Sequence, residues 1–233
     1  MTTAQQFEDV LGTMVLGKVV DFDAAADLLL PMDFSASNVA LVPELLDDDM
    51  RFSAWVAGQL AANHCRYGIG GYNEHRSIYS RSQHFDDAGE PRRLHLGVDI
   101  WGPAGTVVYN FHDAQVHSFR FNDGFGDYGA TVILKYEVDG LEFHVLYGHL
   151  SLDSLKGLEV GMPLPAGSAF ASFGIAEENG HWPPHLHFQV ILNMQGLKGD
   201  YPGVCQFSKR QIYLLNCPDP AVILRGTFGE ANA

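Results

Sequence analysis

Residues 130–138, ATVILKYEV, then Asp139-Gly140, then residues 141–149, LEFHVLYGH, decide the fold class. Val132, Leu134, Tyr136 and Val138 recur at every second position, the spacing of a strand with one buried face. Asp-Gly accepts the positive φ that a two-residue hairpin turn requires. The return run sets Leu141, Phe143, Val145, Tyr147 and His149 on one face, so the pair predicts an antiparallel hairpin that delivers a histidine to a strand end. Further short strands are expected around residues 106–109, 114–121, 169–173 and 185–192. The expected core is therefore mainly β, a compact antiparallel β-sandwich.

Outside that core the character is mixed. Thr2 and Thr3 stand three residues before Gln5 and Gln6, and Phe7, Val10, Leu11 and Met14 follow at helical spacing, which predicts a capped helix ending near Gly17. Phe52, Trp55, Val56 and Leu60 form a second stripe behind Asp47-Asp48-Asp49, whose carboxylates favour a helix N-terminus. Gly68, Gly70 and Gly71 open a polar run to Arg93 that reads as a loop, in which Tyr72, Glu74 and Arg76 either line the cleft or form a solvated turn, the turn being the default for a Gly-rich polar segment. Ser208 and Gln211 have capping-box spacing, and Pro218 and Pro220 end the short helix they would open. The expected organisation is a mixed, partly helical segment over 1–66, a Gly-rich polar loop over 67–93, a β domain over 94–192 and a C-terminal extension over 193–233.

Composition narrows the function. The 233 residues are 46% hydrophobic and 18% charged, enough to bury a core without disulfides or metal, so a metal site would serve chemistry. Fourteen Lys and Arg against 28 Asp and Glu give a net charge of −14, which argues against nucleic acid and against anionic membrane surfaces as partners. The start of the chain lacks the basic, then apolar, pattern of a secretory signal, and no stretch is apolar enough to span a bilayer. Cys65, Cys205 and Cys217 form no C-x-x-C pair, so the expectation is a cytoplasmic protein with reduced thiols. Cys65 follows His64 on a predicted helix and Cys205 has no histidine nearby in sequence, which gives thiol nucleophile chemistry little support. Nothing in the sequence reports an oligomeric state.

Four local patterns carry the chemistry. In His95-Leu96-Gly97-Val98-Asp99, strand pleating would point His95 and Asp99 the same way, with Gly97 between them leaving room for an ion. In His185-Leu186-His187-Phe188-Gln189-Val190 two imidazoles share one face while Leu186, Phe188 and Val190 share the other. Tyr147-Gly148-His149-Leu150 ends the hairpin, and Gly180-His181-Trp182-Pro183-Pro184 stiffens the approach to the paired histidines. Imidazole with carboxylate suits zinc, and three protein ligands leave a fourth position for water, as in catalytic zinc sites. His95, Asp99 and one of His185 or His187 would supply the ligands, leaving two histidines, His149 among them, for proton transfer. Isolated histidines such as His64, His75, His84, His112, His117 and His144 read as structural.

In this order, His-x-Gly-x-Asp, Tyr-x-His-Leu and Pro-His-Leu-His-Phe on short strands resemble the lysostaphin-type zinc endopeptidases that cut peptidoglycan peptides. The resemblance runs from about His95 to Val190 and implies a β-sandwich of the duplicated hybrid motif kind. It implies that His95, Asp99 and His187 bind Zn2+ and that His149 and His185 are the catalytic pair. The substrate it implies is a peptide or muropeptide, hydrolysed by metal-activated water. The alternative is a non-enzymatic module that keeps the fold to bind a peptide or glycopeptide.

Overall fold

A computed structural model describes residues 3–86 and 89–229; Thr2, half of the expected N-terminal cap, lies outside them. The strands are β1 (Leu29–Met32), β2 (Tyr67–Gly70), β3 (Arg92–His95), β4 (Val98–Trp101), β5 (Val107–Tyr109) and β6 (Ala114–Asn122). They continue as β7 (Gly129–Val138), β8 (Leu141–Leu150), β9 (Pro163–Leu164), β10 (Ala169–Ser172), β11 (His185–Ile191) and β12 (Val204–Gln206). The helices are α1 (Thr3–Gly12), α2 (Pro43–Leu46), α3 (Asp49–Ala62), α4 (Arg210–Asn216) and α5 (Ala221–Phe228). Among the described residues, no helix is long and apolar enough to cross a membrane.

The fold is mainly β with antiparallel pairing and helical terminal segments, as the alternation predicts. Eight strands form one sheet in the order β1-β2-β4-β11-β8-β7-β6-β9, in which only β1 and β2 run parallel, and two ribbons, β10-β5 and β12-β3, stand beside it. Asp139 and Gly140 turn the β7–β8 hairpin with φ of 50° and 77°. The alternating residues of β7 and β8 pack with Leu186, Phe188 and Val190 of β11 and with Val98 and Ile100 of β4 in the largest apolar cluster. Phe7 and Leu11 of α1 and Ile223, Leu224 and Phe228 of α5 pack into that same cluster. With that side of β11 given to the core, its odd-numbered residues, His185, His187 and Gln189, face the other way.

Several expectations need correction. Helix α1 stops at Gly12 rather than near Gly17, and the Gly17 N–H instead donates to the Phe111 carbonyl, 2.9 Å away. The second stripe does form α3, whose N-cap Asp48 accepts from Met50 N and Arg51 N, but Cys65 lies beyond its end. The Gly-rich run contributes β2, which pairs with β4 inside the main sheet. The capping box does not form: Ser208 N donates to Glu90, α4 has no side-chain cap, and Pro220 is the N-cap of α5, a helix the two prolines concealed.

Far from the expected site, on β8, His144 is 5% exposed and its Nδ1 has no partner. Burial, with His117 beside it, pulls its pKa down to about 4. A histidine depressed in the fold contributes stability that is complete above its unfolded pKa and is lost as pH falls toward the folded value. Melting curves should therefore show stability falling between about pH 6.5 and pH 4, His144 contributing up to about 1 kcal/mol per pH unit of the fall. His144→Leu should make the slope shallower by up to about 1 kcal/mol per pH unit without lowering stability at pH 7, the rest of it belonging to the other buried histidines.

Candidate metal and catalytic site

The site is assembled by sheet register. His187 of β11 pairs directly with Asp99 of β4, and on its other side with Gly148 of β8. Cross-strand neighbours hold their Cβ atoms about 5 Å apart, so a carboxylate and an imidazole in this register meet. His95 arrives differently from the single-strand expectation. The strand is interrupted at Leu96-Gly97, His95 ends β3 in the ribbon with β12, and Asp99 lies in the main sheet. Gly97 leaves room for a ring rather than for an ion: a Cβ there would lie 2.8 Å from His187 Cε1 and 2.8 Å from the Phe188 carbonyl oxygen.

His149 reaches the site because β8 bulges. Between the pairs Val132↔Tyr147 and Ala130↔Leu150, β8 has one residue more than β7, and His149 takes φ of 61°. The alternation that sets His149 on the face of Tyr147 is thus broken; Leu150 enters the core in its place and His149 turns to the opposite face, a re-aiming that bulges commonly perform. Its N–H donates to the Tyr128 carbonyl and its carbonyl accepts from Gly174 N, which fix the turn.

Three donor atoms converge. His95 Nε2 lies 3.2 Å from Asp99 Oδ1 and 2.9 Å from His187 Nδ1, and His187 Nδ1 lies 3.0 Å from Asp99 Oδ1. His95 Nδ1 donates to the Gly71 carbonyl at 2.9 Å, which leaves Nε2 with a lone pair. His187 Nε2 donates to Gln189 Oε1 at 2.8 Å, which leaves Nδ1 with one. The Gln189 amide is itself oriented, because its Nε2 donates to the Pro202 carbonyl and to Cys217 Sγ. Two lone pairs and a carboxylate oxygen therefore face one another with no hydrogen to share, an arrangement a cation relieves. Tetrahedral zinc with ligand distances near 2.0–2.1 Å needs donor–donor edges of about 3.3 Å, within a few tenths of those found. Among the described residues, His95, Asp99 and His187 are the one group with metal-binding geometry.

Electrostatics favour the same state. Burial would raise the Asp99 carboxyl, but His95, Arg76 and His185 hold it well below the usual carboxylate range. Burial, reinforced by Arg76, pushes His95 down to about 4, so the ring is neutral and able to ligate. His149 and His185 stand beside this group with ring centroids 4.1 Å apart, and His185 stacks on Trp101 at 3.9 Å. Their Nδ1 atoms donate to the Asn179 and Pro183 carbonyls at 2.7 Å each, which leaves both Nε2 atoms as acceptors. His185 Nε2 is 3.9 Å from Asp99 Oδ2. Burial lowers both rings, His185 to about 4 and His149 well below its ordinary value, so each is a neutral base at pH 7. Thiol chemistry gains nothing: burial raises Cys205 to about 11 and Cys217 to about 12.

All five expected residues thus come together, and the polar run before them adds two more. Arg76, expected in a solvated turn, is 1% exposed; its Nη1 donates to Asp99 Oδ2 at 2.5 Å and its Nε to Glu74 at 2.6 Å. Glu74 also accepts from Phe34 N, and Tyr72 donates to the Cys217 carbonyl, so neither side chain belongs to a solvated turn. The Tyr79 hydroxyl accepts from Arg76 at 3.3 Å and keeps its own proton, since burial raises its pKa. Arg76 and Tyr79 carried no periodic signal; the one clue was the apolar pair Ile78-Tyr79, set between Arg76 and Arg81 in a polar run. A cavity of about 260 Å³ opens on Asp99, His149, His185 and His187, walled partly by Tyr79, Phe85 and Trp182.

Two imidazole nitrogens and a carboxylate oxygen converge beside two further imidazoles on an antiparallel β scaffold, an arrangement with the geometry to hold a metal ion. Residues 93–198 match the model of Peptidase family M23. Among solved structures, the catalytic domain of lysostaphin from Staphylococcus simulans is 21% identical over 69% of this chain and 96% of its own, with a TM-score of 0.41. A zinc-containing peptidase from Vibrio cholerae is 27% identical over 42% of this chain, with a TM-score of 0.33; the match spans only 27% of that protein. A putative M23 peptidase from Pseudomonas aeruginosa is 18% identical over 76% of this chain and 62% of its own, with a TM-score of 0.36. No curated protein matches the chain.

Orientation of the ligating ring by Gln189 has a measurable consequence. Gln189→Leu should keep the fold but weaken zinc binding about 10- to 100-fold in a chelator competition, because nothing then selects the His187 tautomer.

Proposed function

We propose that the chain is a zinc-dependent peptidase that hydrolyses amide bonds in peptidoglycan-type or other short peptides. The observation that carries this reading is the convergence of the His95, Asp99 and His187 lone pairs beside two imidazoles whose Nε2 atoms are free. The match of residues 93–198 to a peptidase family supports it. His95 Nε2, Asp99 Oδ1 and His187 Nδ1 would hold the ion. A bound zinc would act as a Lewis acid, polarising the amide carbonyl and easing the loss of a proton from water.

The remaining work falls to this chain's own groups. His149 and His185 are neutral acceptors as they stand, so one of them takes the proton of the attacking water. A ring that has gained this proton is a donor and can return it to the departing amine. The Tyr79 proton is available to a developing oxyanion in a cavity walled partly by Phe85 and Trp182, where such a bond counts for more than in bulk water. Arg76 keeps Asp99 ionised and steady while charge moves nearby. The non-enzymatic alternative has no observation in its favour, since every ligand and base position is filled.

Two substitutions separate ligand from base. His187→Ala should lose both zinc and turnover, measured by elemental analysis and by mass spectrometry of muropeptide or short-peptide digests. His149→Ala should retain one zinc per chain while turnover falls at least about a hundredfold. Retained zinc and activity in the first variant would refute the ligand assignment.

A further inference from the structure

A strand held at both ends can reach a reactive centre only along a groove that runs on past it, whereas a pocket admits a chain end. The candidate site lies on β4, β11 and β8, and in the sheet β2 flanks these strands on one side and β7 on the other. Residues 78–85, which follow β2, reach the loop that leads into β7. Ser82 Oγ donates to the Phe125 carbonyl at 2.6 Å, and a Cβ on Gly126 would lie 2.6 Å from Ser82 Cβ, so the two segments touch with no room between them. This contact joins one flank of the site to the other. The loop ahead of β11 is tied to the same bridge: Arg81 Nη1 donates to the His181 carbonyl at 3.0 Å and Gly126 N to the Gly180 carbonyl at 2.9 Å. A second bridge comes from the stretch before β12. The Tyr128 hydroxyl donates to the Tyr201 carbonyl at 3.1 Å, and a Cβ on Gly203 would lie 1.8 Å from that hydroxyl oxygen.

Residues of both bridges line the cavity onto which Asp99, His149, His185 and His187 open. Its wall is packed. The rings of Tyr79, Phe85 and Trp182 lie with centroids 4.6, 6.0 and 6.4 Å apart, and all three side chains are buried. Parting the wall would expose those rings and break the bonds between the bridging segments, so the closure is a built feature of the fold. The metal ligands and both bases are at most 6% exposed, and about 260 Å³ holds a few residues of peptide. The more exposed part of the lining is charged with both signs, His84 and half-buried Arg92, Asp127 and Asp200, a rim that suits the charged end of a peptide. The lining residues between 76 and 92 and between 200 and 204 lie outside the segment that matches the peptidase family.

Resting on the peptidase reading above, we propose that the Ser82–Phe125 and Tyr128–Tyr201 bridges close a cross-sheet groove into a pocket, so that the site takes short peptides or the free end of a longer one and rejects an internal amide of a strand held at both ends.

The test uses the full chain loaded with one equivalent of zinc, intact peptidoglycan sacculi, and the soluble muropeptides released from the same sacculi by a glycan-cutting hydrolase, so that both preparations offer the same amides. Turnover is followed by mass spectrometry, binding of muropeptides by calorimetry and binding of sacculi by co-sedimentation. Sacculi should be cleaved at least about a hundredfold more slowly per bond than muropeptides, the loss expected when a scissile group cannot reach its attack position. Phe85→Ala, which thins the wall without touching a metal ligand or base, should reduce that ratio severalfold, whereas slow diffusion into sacculi would leave it unchanged. Equal cleavage per bond by the parent chain, or an unchanged ratio in the variant, would overturn the pocket and leave the peptidase reading standing. If Phe85→Ala does not fold, the parent comparison alone decides. Binding of muropeptides but not of sacculi, with no cleavage of either, would uphold the pocket and contradict the peptidase reading. A chain that neither binds nor cleaves either preparation would contradict both.

Discussion

Two imidazole nitrogens and a carboxylate oxygen, each presenting electrons and none presenting a hydrogen, are held about 3 Å apart in a dry part of this protein. Left alone, such an arrangement is repulsive, and rotation of any ring would relieve it. Rotation is prevented because each ring is tied at its far nitrogen, His95 to a main-chain carbonyl and His187 to an amide that is itself tied twice. The fold therefore stores a demand for positive charge at one point. A cation at the centre satisfies all three donors at once, and imidazole with carboxylate is a donor set that suits zinc and other divalent first-row ions.

Much of the scaffold serves that point. The largest apolar cluster takes one face of the sheet, which commits the opposite face of β11 to His185, His187 and Gln189. Register brings Asp99 alongside, an interruption between β3 and β4 brings His95 across from the neighbouring ribbon, and a bulge turns His149 inward. Arg76 then completes the surroundings of Asp99 from a segment that precedes the peptidase-family region. The N-terminal segment also contributes: Asp49 at the start of α3 pairs with Arg81 and with His181, which lies just ahead of the paired histidines. Segments that resemble appendages in sequence thus help wall and brace the site.

The strand class and the hairpin were legible because period-two alternation is a local signal, whereas the five candidate residues were singled out only by the joint order of several short motifs, none informative alone. What escaped was non-local. Nothing in Tyr147-Gly148-His149 announces that a non-glycine residue will take a positive φ, since the bulge is stabilised by the Tyr128 carbonyl and Gly174 N, distant in sequence. Arg76 looked solvated because arginine usually is, and its burial depends on Glu74 and on an aspartate two strands away. Helix α5 was hidden by Pro220, which ends helices from within but is well tolerated at their start.

X-ray absorption at the zinc edge, on chain reconstituted with one equivalent of metal, examines the convergence of donors most directly. The account predicts a first shell of two imidazole nitrogens and light oxygen scatterers at about 2.0–2.1 Å, with no sulfur. A sulfur scatterer at about 2.3 Å, or a shell lacking imidazole, would contradict it.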